Sequence, residues 1–352
     1  MSRFTPLDER FAHQIPEPFP NTVTFHHEWR ESLFFVMQRP DGPGDVVIST
    51  LAHFPARGEM DSLQLGRVGG NPLITKHVRT VDGDQDVFKV GGVTIDIIEP
   101  LKKIRLQVVE SPATSATLDV TFTARTQPYQ LRRGTMKAGH EVVWDQSHMF
   151  QSGTYNGTYT YKGQTHKVEN WWGQRDHSWG IRAHGRCPMW MWLAIQLPEG
   201  MLGVWNWEYP NGARVYTDGC FAPSDGSDPI PVIGFEHDLQ WQDENGNETS
   251  YDRFGENVRG LGGVVHFTLQ GGRRITVTAQ GKWAQRYSDI TNRTGAALGG
   301  GLNEMVVTTS DGTKGTAIYE VTGSWHHKYF PLARGERLPP NGITPDENEI
   351  AR

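Results

Sequence analysis

Short runs of strand-forming residues recur along this chain at spacings of about ten residues, and turn-forming residues separate them. In one such run, Thr117 to Ala124, the apolar Leu118, Val120 and Phe122 alternate with Thr and Asp. An alternation of period two places one face of a strand against a core. The chain also has 40 Gly and 21 Pro, and the segment closest to a helix is Thr291 to Leu298. These features predict an all-β fold of the barrel or sandwich kind.

The predicted strands fall into two groups of comparable size. About eight lie on each side of residue 180, which is enough for two antiparallel barrels. We therefore predict an N-terminal arm (residues 1–21), a first barrel (residues 22–180), a second barrel (residues 181–335) and a C-terminal tail (residues 336–352).

Charge and cysteine content limit the function classes. The formal net charge is -6 at pH 7 and no basic run forms a patch, so we expect no nucleic-acid partner. No apolar run approaches the length of about 18 residues that a membrane span needs, and the N-terminus lacks the apolar core of a secretory signal. Two cysteines, Cys187 and Cys220, fit a reducing compartment. We expect a cytoplasmic protein; whether it forms a homo-oligomer stays open.

The stretch from Val168 to Asp218 holds seven of the twelve Trp residues of the chain, interleaved with titratable residues. Large apolar rings mixed with a few such groups suit a buried pocket, because the rings supply contact area and the polar groups orient a ligand or move protons. The alternative for each Trp is ordinary core packing. The predicted substrate-binding residues are Trp171, Trp172, Arg175, Trp179, Trp190, Trp192, Trp205, Trp207 and Tyr216.

Two geometries are open to the segment Arg175 to Gly180. If the segment is extended, His177 and Trp179 face one way and Asp176 faces the other. If it is a turn, Asp176 and His177 can cooperate directly, with the carboxylate fixing the imidazole tautomer. A further interpretation of Asp176 is a buried ion pair with a neighbouring Arg that holds two domains together.

A similar choice applies to the strand-like run Leu202 to Tyr209. The run puts Trp205 and Trp207 on one face and Glu208 on the other. A Glu beside two Trp can have its pKa raised by desolvation, which suits a general acid or base near neutral pH. The alternative is a solvated Glu208 on the outward face of a half-buried strand.

Other catalytic templates are absent from the sequence. There is no Gly-x-Ser-x-Gly elbow, no phosphate loop, no Gly-x-Gly-x-x-Gly and no His-Glu-x-x-His. His177, His184 and Cys187 show no recurring ligand spacing. We therefore expect neither a metal nor an organic cofactor.

The segment from Asp176 to Gly180, which reads Asp-His-Ser-Trp-Gly, resembles the group that contains hydroxyneurosporene synthase (carotenoid 1,2-hydratase). That group is similar to other two-domain lipocalin-like proteins, including Diels-Alderase-type cyclases. The resemblance implies two consecutive lipocalin-like (calycin-like) antiparallel β-barrels or half-barrels with a ligand cavity and no cofactor. It also implies roles in alkene protonation for a His-x-Trp pair, which His177 and Trp179 match, and for a Tyr-x-Asp pair.

The Tyr-x-Asp pair is matched by Tyr216 and Asp218, but the strand expected to carry it reads Trp205-Asn-Trp-Glu208. This departure leaves Glu208 or Asp218 as the acid. Our leading hypothesis is a cofactor-independent lyase or isomerase acting on an aromatic, polycyclic or terpenoid molecule. His177, with Asp176, Glu208 or Asp218, would transfer the proton that adds or eliminates water or a small fragment, or closes a ring.

Two alternatives come from other classes. A non-catalytic carrier would hold a lipophilic metabolite in a lipocalin-like cup. A structural protein would use the Trp-rich stretch only to join two domains. Ionisable groups that face the cavity would favour an enzyme over a carrier.

Overall fold

The computed structural model describes Glu9, Phe11 and residues 26–41, 43–111, 116–138, 141–183, 189–208, 212–251, 255–287 and 300–322. The predicted all-β fold is confirmed, because the described regular elements are strands apart from one short 3₁₀ turn, Pro55–Arg57. No helix in this part of the chain is long and apolar enough to span a membrane. The helix candidate at residues 291–298, the C-terminal tail and most of the N-terminal arm lie outside the described residues.

The first sheet has twelve strands and forms a nearly closed barrel, here called the N-terminal barrel. Its strand order is β4-β3-β2-β1-β12-β11-β8-β7-β6-β5, and β9 and β10 also pair with β11. The strands are β1 (Trp29–Gln38), β2 (Val46–Phe54), β3 (Glu59–Val68), β4 (Asn71–Thr80), β5 (Lys89–Val90), β6 (Val93–Glu99), β7 (Lys103–Val108), β8 (Ala116–Ala124), β9 (Tyr129–Gln130), β10 (Gly134–Ala138), β11 (Glu141–Tyr161) and β12 (Gln164–Arg182).

The second sheet has nine strands and forms the C-terminal barrel. Its order is β16-β15-β14-β13-β21-β20-β19-β18-β17, and a pairing of β16 with β18 closes a ring of eight. The strands are β13 (Met189–Leu197), β14 (Gly200–Glu208), β15 (Arg214–Pro223), β16 (Ile230–His237), β17 (Gln240–Gln242), β18 (Gly260–Leu269), β19 (Arg274–Arg286), β20 (Gly300–Thr309) and β21 (Lys314–Thr322). Sheet membership changes between Arg182 and Met189, next to the boundary predicted after residue 180.

Strand alternation builds three hydrophobic cores, one inside each barrel and one between the barrels. β13 shows how this works: Met191 and Leu193 belong to the interior of the C-terminal barrel, whereas Trp190 and Trp192 pack in the core between the barrels. All nine residues of β13 are buried. Because both faces of the strand are covered, its sequence is apolar at every position except Gln196 instead of alternating.

The longest strands, β11 and β12, form one hairpin that links these cores. Their 21 and 19 residues pair over most of their length, and Gly153 lies opposite Gly173 near the middle. A Cβ on Gly173 would lie 1.8 Å from the carbonyl oxygen of Val36 in β1. The backbones of β1 and β12 therefore approach each other so closely that only Gly fits at this position.

Several strands do not stand out in the sequence. β3 (Glu59–Val68), the short strands β9 and β10 and the first half of β11 carry Gly, Asp, Gln and Ser within or beside them, which weakens a period-two pattern. The strand-like run Phe235 to Gln242 covers the end of β16 and all of β17, which both pair with β18. Such pairings are made by residues distant in sequence, so local composition does not specify them.

Candidate active site

The segment from Arg175 to Gly180 is part of strand β12. Of the two geometries considered above, the structure therefore has the extended strand and not the turn. His177 and Trp179 lie in the N-terminal barrel, and Asp176 lies on the opposite face, between the barrels. His177 pairs with Leu33 in register and Asp176 with Phe34, and these two neighbours belong to the two different cores. Asp176 and His177 consequently cannot share one substrate cavity.

The carboxylate partner of His177 is Glu31 of β1. His177 Nε2 lies 3.0 Å from Glu31 Oε1, and both side chains are buried. The ring of Trp179 contacts His177 edge-on, with 5.3 Å between centroids. Glu31 was missed in the sequence, because it lies 146 residues away from His177 and no local pattern links the two strands.

Asp176 belongs to a cluster of buried polar groups between the barrels, here called the inter-barrel cluster. His148 Nε2 lies 3.8 Å from Asp176 Oδ1. Burial raises the pKa of Asp176 to about 7; the nearby charge of Arg182 opposes this rise and that of Glu320 favours it. Burial also lowers the pKa of Arg182, and it lowers the pKa of His148 well below its ordinary value. At neutral pH, this cluster holds a titrating carboxyl group beside a neutral imidazole.

One contact, with Gln146, favours one tautomer of His148. The amide nitrogen Nε2 of Gln146 lies 3.1 Å from His148 Nδ1. An amide NH₂ only donates, so Nδ1 accepts and the ring proton is on Nε2, facing Asp176. Glu320 is held in turn by Tyr287, whose hydroxyl donates to it.

Aromatic rings surround the inter-barrel cluster on the side of the C-terminal barrel. Trp205 lies 4.4 Å from His148 and 4.7 Å from Trp207 between ring centroids, and Trp192 lies 5.3 Å from Phe34. Four predicted substrate-binding Trp and Tyr216 lie here, and we call the set the aromatic wall: Trp190, Trp192, Trp205, Trp207 and Tyr216.

Several polar atoms of this region have no hydrogen-bond partner among the described residues. They include the Nε1 atoms of Trp192 and Trp207 and both amide atoms of Gln174. Gln174 is fully buried and its Oε1 lies against Gly203 of β14, 3.4 Å from where a Cβ would be. Buried polar atoms are usually paired, so these atoms are available to hydrogen-bond a ligand or a bound water.

Glu208 lies apart from both sets of residues. Its side chain faces the interior of the C-terminal barrel, where Asn206 Nδ2 donates to Glu208 Oε1 at 2.9 Å and His237 Nε2 lies 3.5 Å away. The face with Trp205 and Trp207 is the one covered by the N-terminal barrel. Glu208 therefore lies on the face opposite to the two Trp, as alternation predicts. Neither face of the strand is exposed to solvent, so Glu208 is not the solvated residue of the alternative interpretation.

The remaining predicted residues are spread along β12. Trp171 lies inside the N-terminal barrel, 5.8 Å from the ring of Tyr159, and Trp172 lies under the guanidinium of Arg125 at 4.8 Å. Arg175 is fully buried inside the same barrel. The predicted substrate-binding set is thus divided between the barrel interior and the inter-barrel region.

Asp218 joins the two barrels. Its Oδ1 accepts from Tyr129 Oη at 3.0 Å, and its Oδ2 accepts from the backbone N–H of Arg132 at 2.6 Å. The backbone N–H of Gly219 adds a third bond at 2.7 Å. A carboxylate with this many donors is more suited to holding β15 against the β9 region than to donating a proton.

Replacement of Asp218 by Ala is expected to destabilise the protein by about 2 to 3 kcal/mol, because buried donors lose their acceptor. Urea unfolding of the purified variant measures this loss. The matched control is Asp225→Ala, which removes an exposed carboxylate bonded only within its own turn. If Asp218→Ala kept wild-type stability and lost turnover, the catalytic role predicted for Asp218 would be supported instead.

No group of three or more His, Cys, Asp and Glu in the described ranges could hold a metal ion. His184 and Cys187 lie outside those ranges. Cys220 is a free, buried thiol in the core between the barrels.

Several solved structures are similar to this chain at low sequence identity. A candidate AttH protein from Nitrosomonas europaea matches with a TM-score of 0.59 and 11% identity, over 92% of this chain and 99% of that one. CghA with Sch210972 matches with a TM-score of 0.50 and 12% identity, over 84% and 88%. Kievitone hydratase from Nectria haematococca gives 0.47 and 13%, over 85% and 89%. The expected two-domain lipocalin-like fold is confirmed.

Sequence comparison identifies the family. None of the curated proteins compared with the chain matches it in sequence. The model of a family of unknown function, DUF8625, matches residues 4–284, which is well over half of the chain. The protein therefore belongs to the DUF8625 family.

Proposed function

We propose that the protein is an acid-base enzyme of the lyase or isomerase type, which binds a hydrophobic small molecule between its two barrels and needs no cofactor. The proposal rests on the position and the raised pKa of Asp176. This carboxyl group is buried beside aromatic rings, and burial raises its pKa to about 7. A group with such a pKa is protonated in a useful fraction near neutral pH and transfers its proton efficiently.

The surroundings of Asp176 suit a proton donor. His148 Nε2 lies 3.8 Å from Oδ1 of Asp176, and no cation forms a closer contact with the carboxyl group in the described part of the chain. Arg182 stabilises the carboxylate that forms after transfer, since its charge opposes the rise in the Asp176 pKa. His148 and Arg182 therefore act as positioning residues, and Asp176 as the catalytic residue.

The aromatic wall supports an apolar substrate. Indole faces attract the positive charge that develops on an alkene when it is protonated, because the ring quadrupole is negative at its face. The N–H groups of Trp192 and Trp207 and the amide of Gln174 could orient an oxygen of the substrate. Among the proteins of similar fold, CghA has been solved with the compound Sch210972, which also favours a small-molecule ligand.

Under this proposal, the proton donor is Asp176 and neither His177 nor Glu208. His177 lies on the other face of β12, and Glu208 lies inside the other barrel. An aromatic, polycyclic or terpenoid compound with an alkene, or with a hydroxyl group that can be eliminated, is the substrate class to test.

The test is incubation of the purified protein with a panel of such compounds in D₂O. Addition of water, or isomerisation through protonated carbon, is expected to give a product with one carbon-bound deuterium, seen by mass spectrometry as a gain of about one mass unit per turnover. Compounds that bind but return unchanged would favour the carrier. A product that is lighter by one water and carries no deuterium would indicate elimination, in which Asp176 protonates the leaving oxygen. A product of unchanged mass without deuterium would indicate a ring closure that uses no proton from Asp176.

A further inference from the structure

The interior of the N-terminal barrel contains a buried guanidinium-carboxylate pair. Arg175 Nη1 and Nη2 donate to the two carboxylate oxygens of Glu9 at 3.1 and 2.7 Å, and both side chains are fully buried. Arg175 Nε donates to Gln151 Oε1 at 2.9 Å. The backbone N–H of Leu101 also donates to Glu9, at 2.6 Å. The guanidinium is thus arranged to bind one carboxylate with two parallel bonds.

An aromatic ring lies beside this pair. Phe11 is buried, with its ring centroid 4.8 Å from Phe88, 5.9 Å from His53 and 6.1 Å from His177. Neither Glu9 nor Phe11 belongs to a strand. The barrel interior is therefore filled in part by the carboxylate and the phenyl ring of two residues that lie outside its strands.

Other polar groups of the barrel interior lie in register with Arg175 or beside it on neighbouring strands, and Glu9 makes no hydrogen bond to them. Strand register aligns Arg175 with Phe35, Phe35 with Ser49, and Ser49 with Gln64. Gln64 is 1% exposed, and neither of its amide atoms has a hydrogen-bond partner among the described residues. The hydroxyl of Tyr155, whose ring contacts Phe122 beside Arg175, likewise has none in that part of the chain.

We propose that the interior of the N-terminal barrel is a second binding site, specific for a small organic acid with an aromatic body, and that Glu9 and Phe11 occupy the places of its carboxylate and its ring. The acid displaces these two side chains. Its carboxylate binds Arg175, its ring contacts His53, Phe88 and His177, and a polar substituent reaches Gln64.

The ligand has to be an anion for a physical reason. A buried guanidinium that loses its carboxylate without replacement is strongly unfavourable. Exchange of the Glu9 carboxylate for that of a ligand keeps both parallel hydrogen bonds, whereas a neutral ligand would leave Arg175 uncompensated. This site lies on the opposite face of β12 from Asp176, so the proposal does not depend on the proposed reaction.

The test measures binding of 5-phenylpentanoate to the full chain by calorimetry, with 5-phenylpentanamide as the neutral control. Glu9 and Phe11 compete with the ligand from within the same molecule, so their removal should raise the affinity. We expect the double variant Glu9→Ala/Phe11→Ala to bind the acid at least tenfold more tightly than the wild type. The amide should bind the double variant at least tenfold more weakly than the acid does.

Two further variants guard against misfolding of the double variant. Phe11→Ala alone keeps the pair of Glu9 with Arg175 and should give a smaller gain in affinity. The triple variant that also carries Arg175→Met has no uncompensated guanidinium in the barrel. This variant should not bind the acid. The acid should also raise the thermal unfolding midpoint of the double variant more than that of the wild type.

Equal affinity of the acid for the wild type and for both Phe11→Ala and the double variant would overturn the proposal, since Glu9 and Phe11 would then not occupy the site. Equal binding of acid and amide, or binding that survives Arg175→Met, would overturn it as well. None of these results depends on turnover, so they leave the role of Asp176 untouched.

Discussion

Replacement of Asp176 by Asn is expected to lower turnover by about 10²- to 10⁴-fold and, at the same time, to stabilise the protein above pH 7. The loss of turnover follows from the loss of the proposed proton donor. The side chain of Asn is nearly isosteric with Asp, so the packing against Phe34 and Phe150 in the neighbouring strands should be kept. In the wild type, turnover should fall as pH rises through about 7, where Asp176 loses its proton.

The gain in stability follows from the direction of the pKa shift. Burial raises the pKa of Asp176 to about 7, whereas an Asp in an unfolded chain has a pKa of about 3.9. Between these values the folded protein keeps a proton that the unfolded chain has released, so the stability contributed by Asp176 is lost as pH rises. Asn does not titrate. From pH 4 to pH 8, the variant should gain about 2 to 4 kcal/mol relative to the wild type.

The matched control is Asp61→Asn. Burial also raises the pKa of Asp61, whose Oδ2 lies 3.8 Å from Lys76 Nζ and which is not part of the aromatic wall. This variant should show a stability gain of the same sign with turnover unchanged. Urea unfolding at several pH values and steady-state kinetics measure the two effects. Full activity in Asp176→Asn would remove Asp176 from the mechanism, and a pH-independent stability difference would contradict the raised pKa.

A methyl group added at Gly173 is expected to destabilise the protein by about 3 to 5 kcal/mol. The Cβ of Gly173→Ala would lie 1.8 Å from the carbonyl oxygen of Val36 and 3.0 Å from the ring of Tyr155. Backbone cannot give way as a side chain does, so β1 and β12 would have to separate. That pairing holds His177 beside Glu31 and fixes the face on which Asp176 lies.

Gly234→Ala is the control for this substitution. Gly234 lies in β16, and its added Cβ would meet only the side chain of Thr268, at 3.2 Å. The expected loss is about 1 kcal/mol or less. Urea unfolding of both variants gives the comparison; equal losses would show that β1 and β12 are not held together as closely as the structure indicates.

The sequence was sufficient to predict the all-β class and most strand positions, because period-two alternation and turn residues are local properties. It also predicted which residues share a face. As predicted, Trp205 and Trp207 share one face and Glu208 lies on the other. For the segment around His177 two geometries were open, and the structure has the extended one, with Asp176 on the face opposite to His177. The roles assigned to these residues remain predictions.

What covers each face was decided by tertiary structure. The single Trp-lined cavity expected from the Trp-rich stretch is instead divided: the aromatic wall lies between the barrels, Trp171 and Trp179 lie inside the first barrel, and Glu208 lies inside the second. The predicted pairing of His177 with Asp176 or Glu208 is replaced by a pair with Glu31.

The physical reason is that alternation tells which residues point the same way, but not which distant strand they meet. One of the two partners of β12 in the first barrel is β1, nearly 150 residues earlier in the chain, and only the pairing of these two strands brings Glu31 to His177. Likewise, β14 became buried on both faces only because the second barrel docks on the first. The sequence by itself determined most of the strands and which residues alternate along them; the docking of the two barrels decided which faces became buried between them.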